Sequence, residues 1–102
     1  MHSGDLFYMT IIAERELKTE LVHALGREGL KLINTNYGHG IAKVNEFMHA
    51  LGFVVENKKV VITGLVKGEH KDALFVMLKK DFGFDKPNTG IAYTIEVEKL
   101  SF

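Results

Sequence analysis

Hydrophobic and polar positions follow two different periods along this chain, and the switches between them mark out its elements. Leu6-Phe7-Tyr8-Met9-Thr10-Ile11-Ile12-Ala13 is apolar at both parities. Leu6, Tyr8 and Ile12 fall on one side of an extended chain and Phe7, Met9 and Ile11 on the other. That predicts a strand buried on both faces. From Glu14 to Glu28 the period lengthens, with Leu17, Leu21, Ala24 and Leu25 recurring at three and four and Val22 at the flank. Arg15, Lys18, Glu20 and Arg27 fill the other side, so the stretch predicts an amphipathic helix stopped near Gly26 and Gly29. His23, beside the stripe, reads as a partly exposed helix histidine.

A second strand is expected from Leu30 to Tyr37, with Leu32, Asn34 and Asn36 on one face and Ile33, Thr35 and Tyr37 on the other. Gly38-His39-Gly40 closes it. Ile41 to Asn57 shows no period of two and at most a loose helical turn or two. A connection of that length within a small domain is usually functional or mobile. Lys58 to Val66 is a third strand, apolar at both parities, and Gly64 inside it marks a bulge or a close approach by another group. Gly68 is expected to cap a helix ending near Phe82, with Ala73, Leu74, Met77 and Leu78 as its stripe and Phe75 and Val76 widening it. Gly83 ends that helix. The turn Lys86-Pro87-Asn88-Thr89-Gly90 then leads into a last strand from Gly90 to Leu100.

Strand–helix–strand, long loop, strand–helix–strand is the order of a ferredoxin-like α+β fold, βαββαβ. It gives a four-stranded antiparallel sheet with two helices on one face. The expected unit is one domain spanning residues 1–102. Two helices cover one face only, yet the first and third strands, central in this topology, are apolar on both. The open face would expose more apolar surface than a soluble monomer normally carries, so the pattern predicts a small closed homo-oligomer.

Composition narrows the chemistry. The chain has 102 residues, no cysteine, and Lys plus Arg equal to Asp plus Glu at 13 each. Disulfides and thiolate metal sites are excluded, and the balanced charge argues against a nucleic-acid binder. The apolar run at Leu6 is too short for a signal segment or a membrane span, which leads to the expectation of a cytoplasmic protein. Serine occurs only as Ser3 and Ser101, and the five histidines show no metal-ligand spacing. No catalytic constellation and no metal site emerge, so no enzymatic activity is expected. The third strand lacks the aromatics on which an RNA-recognition fold stacks bases. Glu14-Arg15-Glu16-Leu17 does not supply the glycine-rich phosphate loop of an acylphosphatase. The turn at Lys86 to Gly90 reads on its own as a connector. Its Pro, Asn, Thr and Gly also suit an anion cradle, with Lys86 at the rim.

On this plan the chain resembles the PII-like signalling proteins over nearly its whole length. Tyr37-Gly38-His39-Gly40-Ile41 is similar to the glycine-rich start of that family's long T-loop between strands 2 and 3. Ala50-Leu51-Gly52-Phe53-Val54-Val55-Glu56 before Lys58-Lys59-Val60-Val61-Ile62 resembles the loop's return. Asp85-Lys86-Pro87-Asn88-Thr89-Gly90-Ile91-Ala92-Tyr93 resembles the B-loop and its following strand, and is the most specific of the three. The resemblance implies a homotrimer with lateral clefts that bind an adenine nucleotide, AMP, ADP or ATP. The implied contacts are Tyr37, Gly38 and His39 at the T-loop base, Gly64 and Leu65 on the third strand, and Lys86, Pro87, Asn88, Thr89 and Gly90 around the phosphates. It also implies a regulated partner such as a membrane transporter or a metabolic enzyme, met through the T-loop, where Phe47, Met48, Leu51 and Phe53 lie. Three features depart from the family. The lysine that ends the B-loop signature is Gly90 here, no tyrosine follows Tyr37 in the T-loop, and the loop glutamine that helps hold magnesium and 2-oxoglutarate has no counterpart. The alternative within the same architecture is a trimeric metal-binding protein of the CutA kind, using His39 or His49 with a carboxylate.

Overall fold

The computed structural model of the chain describes residues 5–37, 50, 59–87, 89–99 and 101. Strand β1 (Leu6–Glu14) leads through a 3-10 turn at Arg15–Leu17 into helix α1 (Lys18–Arg27), and β2 (Lys31–Tyr37) follows. Strand β3 (Lys59–Lys67), helix α2 (Gly68–Phe82) and β4 (Gly90–Glu96) repeat the plan. The four strands form one sheet in the order β2-β3-β1-β4, with every neighbouring pair antiparallel. The ferredoxin-like expectation holds, and β1 and β3 are the central strands.

Parity along the strands decides where the core lies. Met9, Ile11 and Ala13 of β1 and Val60, Ile62 and Val66 of β3 are buried together with Leu21, Ala24 and Leu25 of α1 and Leu74, Met77 and Leu78 of α2. Both helices therefore cover one face. Full burial of a side chain of the Leu, Ile or Met kind contributes about 1.5–3 kcal/mol, so this layer dominates the hydrophobic stabilisation. Lys71 carries its ammonium 4.1 Å from the centroid of the Phe7 ring, extending that layer at its margin.

Several boundaries differ from expectation, each for a local reason. The first helix was expected from Glu14, but Glu14 is still in the β1 ladder opposite Lys59, with which it forms an ion pair, and regular α-helix starts only at Lys18. Gly68 is the first helical residue of α2 and Lys67 is its N-cap, without a side-chain hydrogen bond. The stripe of α2 differs from the expected one in part: Leu74, Met77 and Leu78 are buried and Phe75 packs partly buried against the core, but Ala73 is exposed and Val76 is 61% exposed. Strand β4 ends at Glu96, which pairs with Phe7 close to the start of β1, so the partner strand runs out there. Gly83 does end α2, in the left-handed conformation at φ 71°, with its N–H donating to the Leu78 carbonyl.

Of the two readings of Gly64, a bulge or a close approach, the second holds, and the irregularity in register lies in β2, between Lys31 and Asn34. Leu32 takes φ 53° there, uncommon for a residue with a side chain, and stands 74% exposed on an edge strand. Gly64 answers the same irregularity. A Cβ on it would sit 2.7 Å from Leu30 Cγ and 2.8 Å from the Lys31 carbonyl oxygen, so the group that approaches is the entry to β2.

Candidate functional site

Residues expected to share a ligand fall in three separate places of one chain. Tyr37 ends β2, at one edge of the sheet, opposite Val60 of β3. Val60 lies opposite Ala13, and Ala13 opposite Gly90, which begins β4 at the other edge. Tyr37 and Gly90 thus occupy one row across four strands, separated by three strand spacings, or about 14 Å. Leu65 stands five residues along β3 from Val60, roughly 16 Å at the rise of a strand, so it is not near Tyr37 either. The fold brings none of these groups together within a single chain. Gly38, His39 and Asn88 lie outside the described residues, as do His49 and the T-loop positions Phe47, Met48, Leu51 and Phe53.

At the Tyr37 edge the environment is cationic. The Arg15 guanidinium lies 4.2 Å from the centroid of the half-exposed Tyr37 ring, and the Lys18 ammonium lies 5.6 Å from it. Lys18 Nζ also donates to Tyr37 Oη at 3.4 Å. Arg15 comes from the turn between β1 and α1 and Lys18 is the first residue of α1, so the end of β1 at Glu14 places both. Sequence reading assigned Arg15 and Lys18 only to the solvated side of a helix. Nothing in the local pattern links them to Tyr37, because that link is a sheet-edge contact.

At the far end of β3, Leu65 joins Gly29, Lys31, Leu32, Lys67 and His70 around a cavity of about 580 Å³. This is within the size range of small-molecule sites. Gly29 adopts φ 114°, and a Cβ there would meet the His70 ring at 3.0 Å, so the loop after α1 lies tight against α2. Sequence reading found Leu65 and missed the others, since they come from three different elements. The mixture of apolar wall and basic rim suits an amphipathic anion.

The turn at Lys86 to Gly90 is more committed than its composition suggested. Phe84 N–H donates to the Leu78 carbonyl and Lys86 N–H to the Gly83 carbonyl. Those two amides serve the turn, which leaves the exposed side chain of Lys86 and the residues after it to meet an anion. Gly90 is buried beneath Phe84: an added Cβ would lie 2.6 Å from the ring's Cζ. A side chain at Gly90 would have to displace the Phe84 ring, which sets this position against a phosphate-binding cation. A small cavity of about 200 Å³ lies beside it, between Phe84, Lys79 and the start of β4.

Across the described residues no three His, Asp or Glu groups converge as a metal site, and no helix is long and apolar enough to cross a membrane. The sheet face away from the helices carries Tyr8, 42% exposed, and Ile95, 58% exposed, with Leu65, Val61, Ile91 and Tyr93 half-buried between and beside them.

Comparison with known proteins was made by sequence and by structure. No family model matches the chain, and no curated protein matches it in sequence. Solved structures do match. A protein of Thermus thermophilus described as PII-like and signalling superposes with a TM-score of 0.63 at 22% identity, covering 88% of this chain and 83% of that one. CPII of Thiomonas intermedia, a nitrogen regulatory PII-like protein bound to ADP, AMP and bicarbonate, gives 0.62 at 16% identity over 88% and 87%. A DUF3240 family protein of Shewanella baltica gives 0.65 at 15% identity over 96% of both chains. At these identities the likeness is one of fold, and the fold is that of the PII-like proteins.

Proposed function

We propose that this chain is a divergent PII-like signalling protein, a single domain that forms a homotrimer and binds an adenine nucleotide between subunits. The observation that carries the reading is the fold it shares, over most of both chains, with a PII-like protein bound to ADP and AMP. The placement of the candidate residues supports it. Tyr37 and the turn at Lys86–Gly90 occupy opposite edges of one sheet, so a ligand touching both needs the β2 edge of one subunit beside the β4 edge of another. In this arrangement Tyr37, Gly38, His39, Gly64 and Leu65 come from one subunit and Lys86, Pro87, Asn88, Thr89 and Gly90 from its neighbour. Gly64 serves there by letting β2 approach, not by leaving room for the ligand.

The apolar face with Tyr8 and Ile95 supports assembly, because burying it in an oligomer removes an exposed patch from water. The protein acts as a sensor and not as an enzyme, in the cytoplasm. Nucleotide in the cleft is signalled through the segment between β2 and β3 to a transporter or a metabolic enzyme. With no lysine at Gly90, AMP and ADP are preferred to ATP, since each missing charge-assisted contact costs about 1.5–3 kcal/mol.

A thermal-shift and calorimetric screen with AMP, ADP, ATP and 2-oxoglutarate, paired with light scattering, tests this. A ligand at a hundred times its dissociation constant stabilises by about 2.7 kcal/mol. The expected result is a trimer stabilised by AMP or ADP, with the response lost in Lys86→Glu. A monomer, or a trimer with no nucleotide response, overturns the reading. Copper or zinc binding abolished by His39→Ala, without nucleotide heat, would replace it with the metal-binding alternative.

A further inference from the structure

The cleft needs positive charge for the phosphates, and the turn at β4 provides little: Gly90 lies beneath the Phe84 ring and Lys86 is its one cation. The described residues place another cation at the opposite edge. Lys18 extends from the first turn of α1 to the Tyr37 hydroxyl at 3.4 Å and makes no ion pair among the described residues. Glu14, the nearest carboxylate before it in sequence apart from Glu16, is committed to Lys59. The Arg15 guanidinium occupies the same Tyr37 ring at 4.2 Å, so two like charges converge on one aromatic group. Beside Lys18 runs a groove of about 350 Å³ between α1 and β2, into which Thr19, His23 and Thr35 bring further polar groups over Val22 and Ile33.

We infer that Lys18, oriented by the Tyr37 hydroxyl, supplies phosphate-binding charge to the nucleotide site. The ligand group is the phosphate of the adenine nucleotide, and the inference rests on the reading proposed above. An anion at Lys18 would accept hydrogen bonds from the ammonium and from Tyr37 Oη together.

Calorimetry with adenosine, AMP and ADP on the full chain and on Lys18→Gln and Lys18→Arg tests this. Lys18 is a surface position on a helix and Gln is a good helix former, so the fold is retained. ADP affinity is expected to fall at least tenfold in Lys18→Gln, as for loss of one charge-assisted contact, while adenosine affinity is unchanged and Lys18→Arg recovers most of the loss. The salt dependence of ADP binding is expected to weaken in parallel. If ADP binds the native chain and Lys18→Gln equally, the inference is overturned while the nucleotide reading stands. If adenosine and ADP weaken together, Lys18 acts only on local structure and the inference is likewise overturned. If the native chain binds no nucleotide, both fall.

Discussion

The two faces of the sheet are built from the same four strands and have different fates. Towards the helices, Met9, Ile11, Val60 and Ile62 have no solvent exposure at all. On the other face burial depends on position along the strand. Ile12 and Thr10 are buried near the middle of β1, but in the row Ile95–Tyr8–Leu65–Lys31 the neighbouring Ile95 and Tyr8 are exposed. The first face is completed by the chain itself. The second offers apolar surface at its Tyr8 and Ile95 end, next to the bulge where Leu32 stands into solvent. Equal hydrophobicity in sequence therefore does not mean equal burial; it depends on what the topology lays over each face.

The comparison can be broken most strongly from the helix side. Ile62→Ala removes a fully buried side chain between β3 and the helices and is expected to cost about 2–5 kcal/mol, read as a lowered urea midpoint at unchanged slope. Gly90→Ala comes next. The new methyl must displace the Phe84 ring, and overpacking of this kind costs about 1–3 kcal/mol. A second variant, Gly90→Ala with Phe84→Leu, should recover part of that loss in the same assay if the ring is the obstacle. The open face should respond differently. Ile95→Lys is expected to change subunit stability by less than about 0.5 kcal/mol, as for an exposed position, yet to lower the assembly mass by light scattering. A full-mass assembly with Ile95→Lys would mean that this end of the face is not the subunit contact.

Much of the fold was legible because periodicity is a local property. The double-sided apolar pattern of Leu6–Ala13 and Lys58–Val66 marked both strands as central, and they are. Errors gathered where a local signal met a non-local partner. Glu14 reads as the start of a helix until Lys59 of β3 holds it in the ladder. At Gly64 the close approach read from the sequence holds, but the group that approaches, Leu30 and the Lys31 carbonyl, comes from a strand that only pairing identifies. Val76 reads as part of a stripe, but α2 turns it to solvent. At the candidate site, Tyr37, Leu65 and the turn at Lys86–Gly90 could be singled out from sequence. Their dispersal over two edges and one strand end could not, because it follows from pairing order.

By itself the sequence determined the order of elements, the two-sided apolar pattern and central place of β1 and β3, the helix stop at Gly83, and the absence of cysteine chemistry. These follow from side-chain periodicity and backbone preferences that act within a few residues. Tertiary structure alone decided that the bulge belongs to β2 and that Gly90 is sealed under Phe84. It also decided that Arg15 and Lys18 converge on Tyr37. Each of these depends on which strand pairs with which and in what register, and a one-residue change of register would send every side chain concerned to the other face.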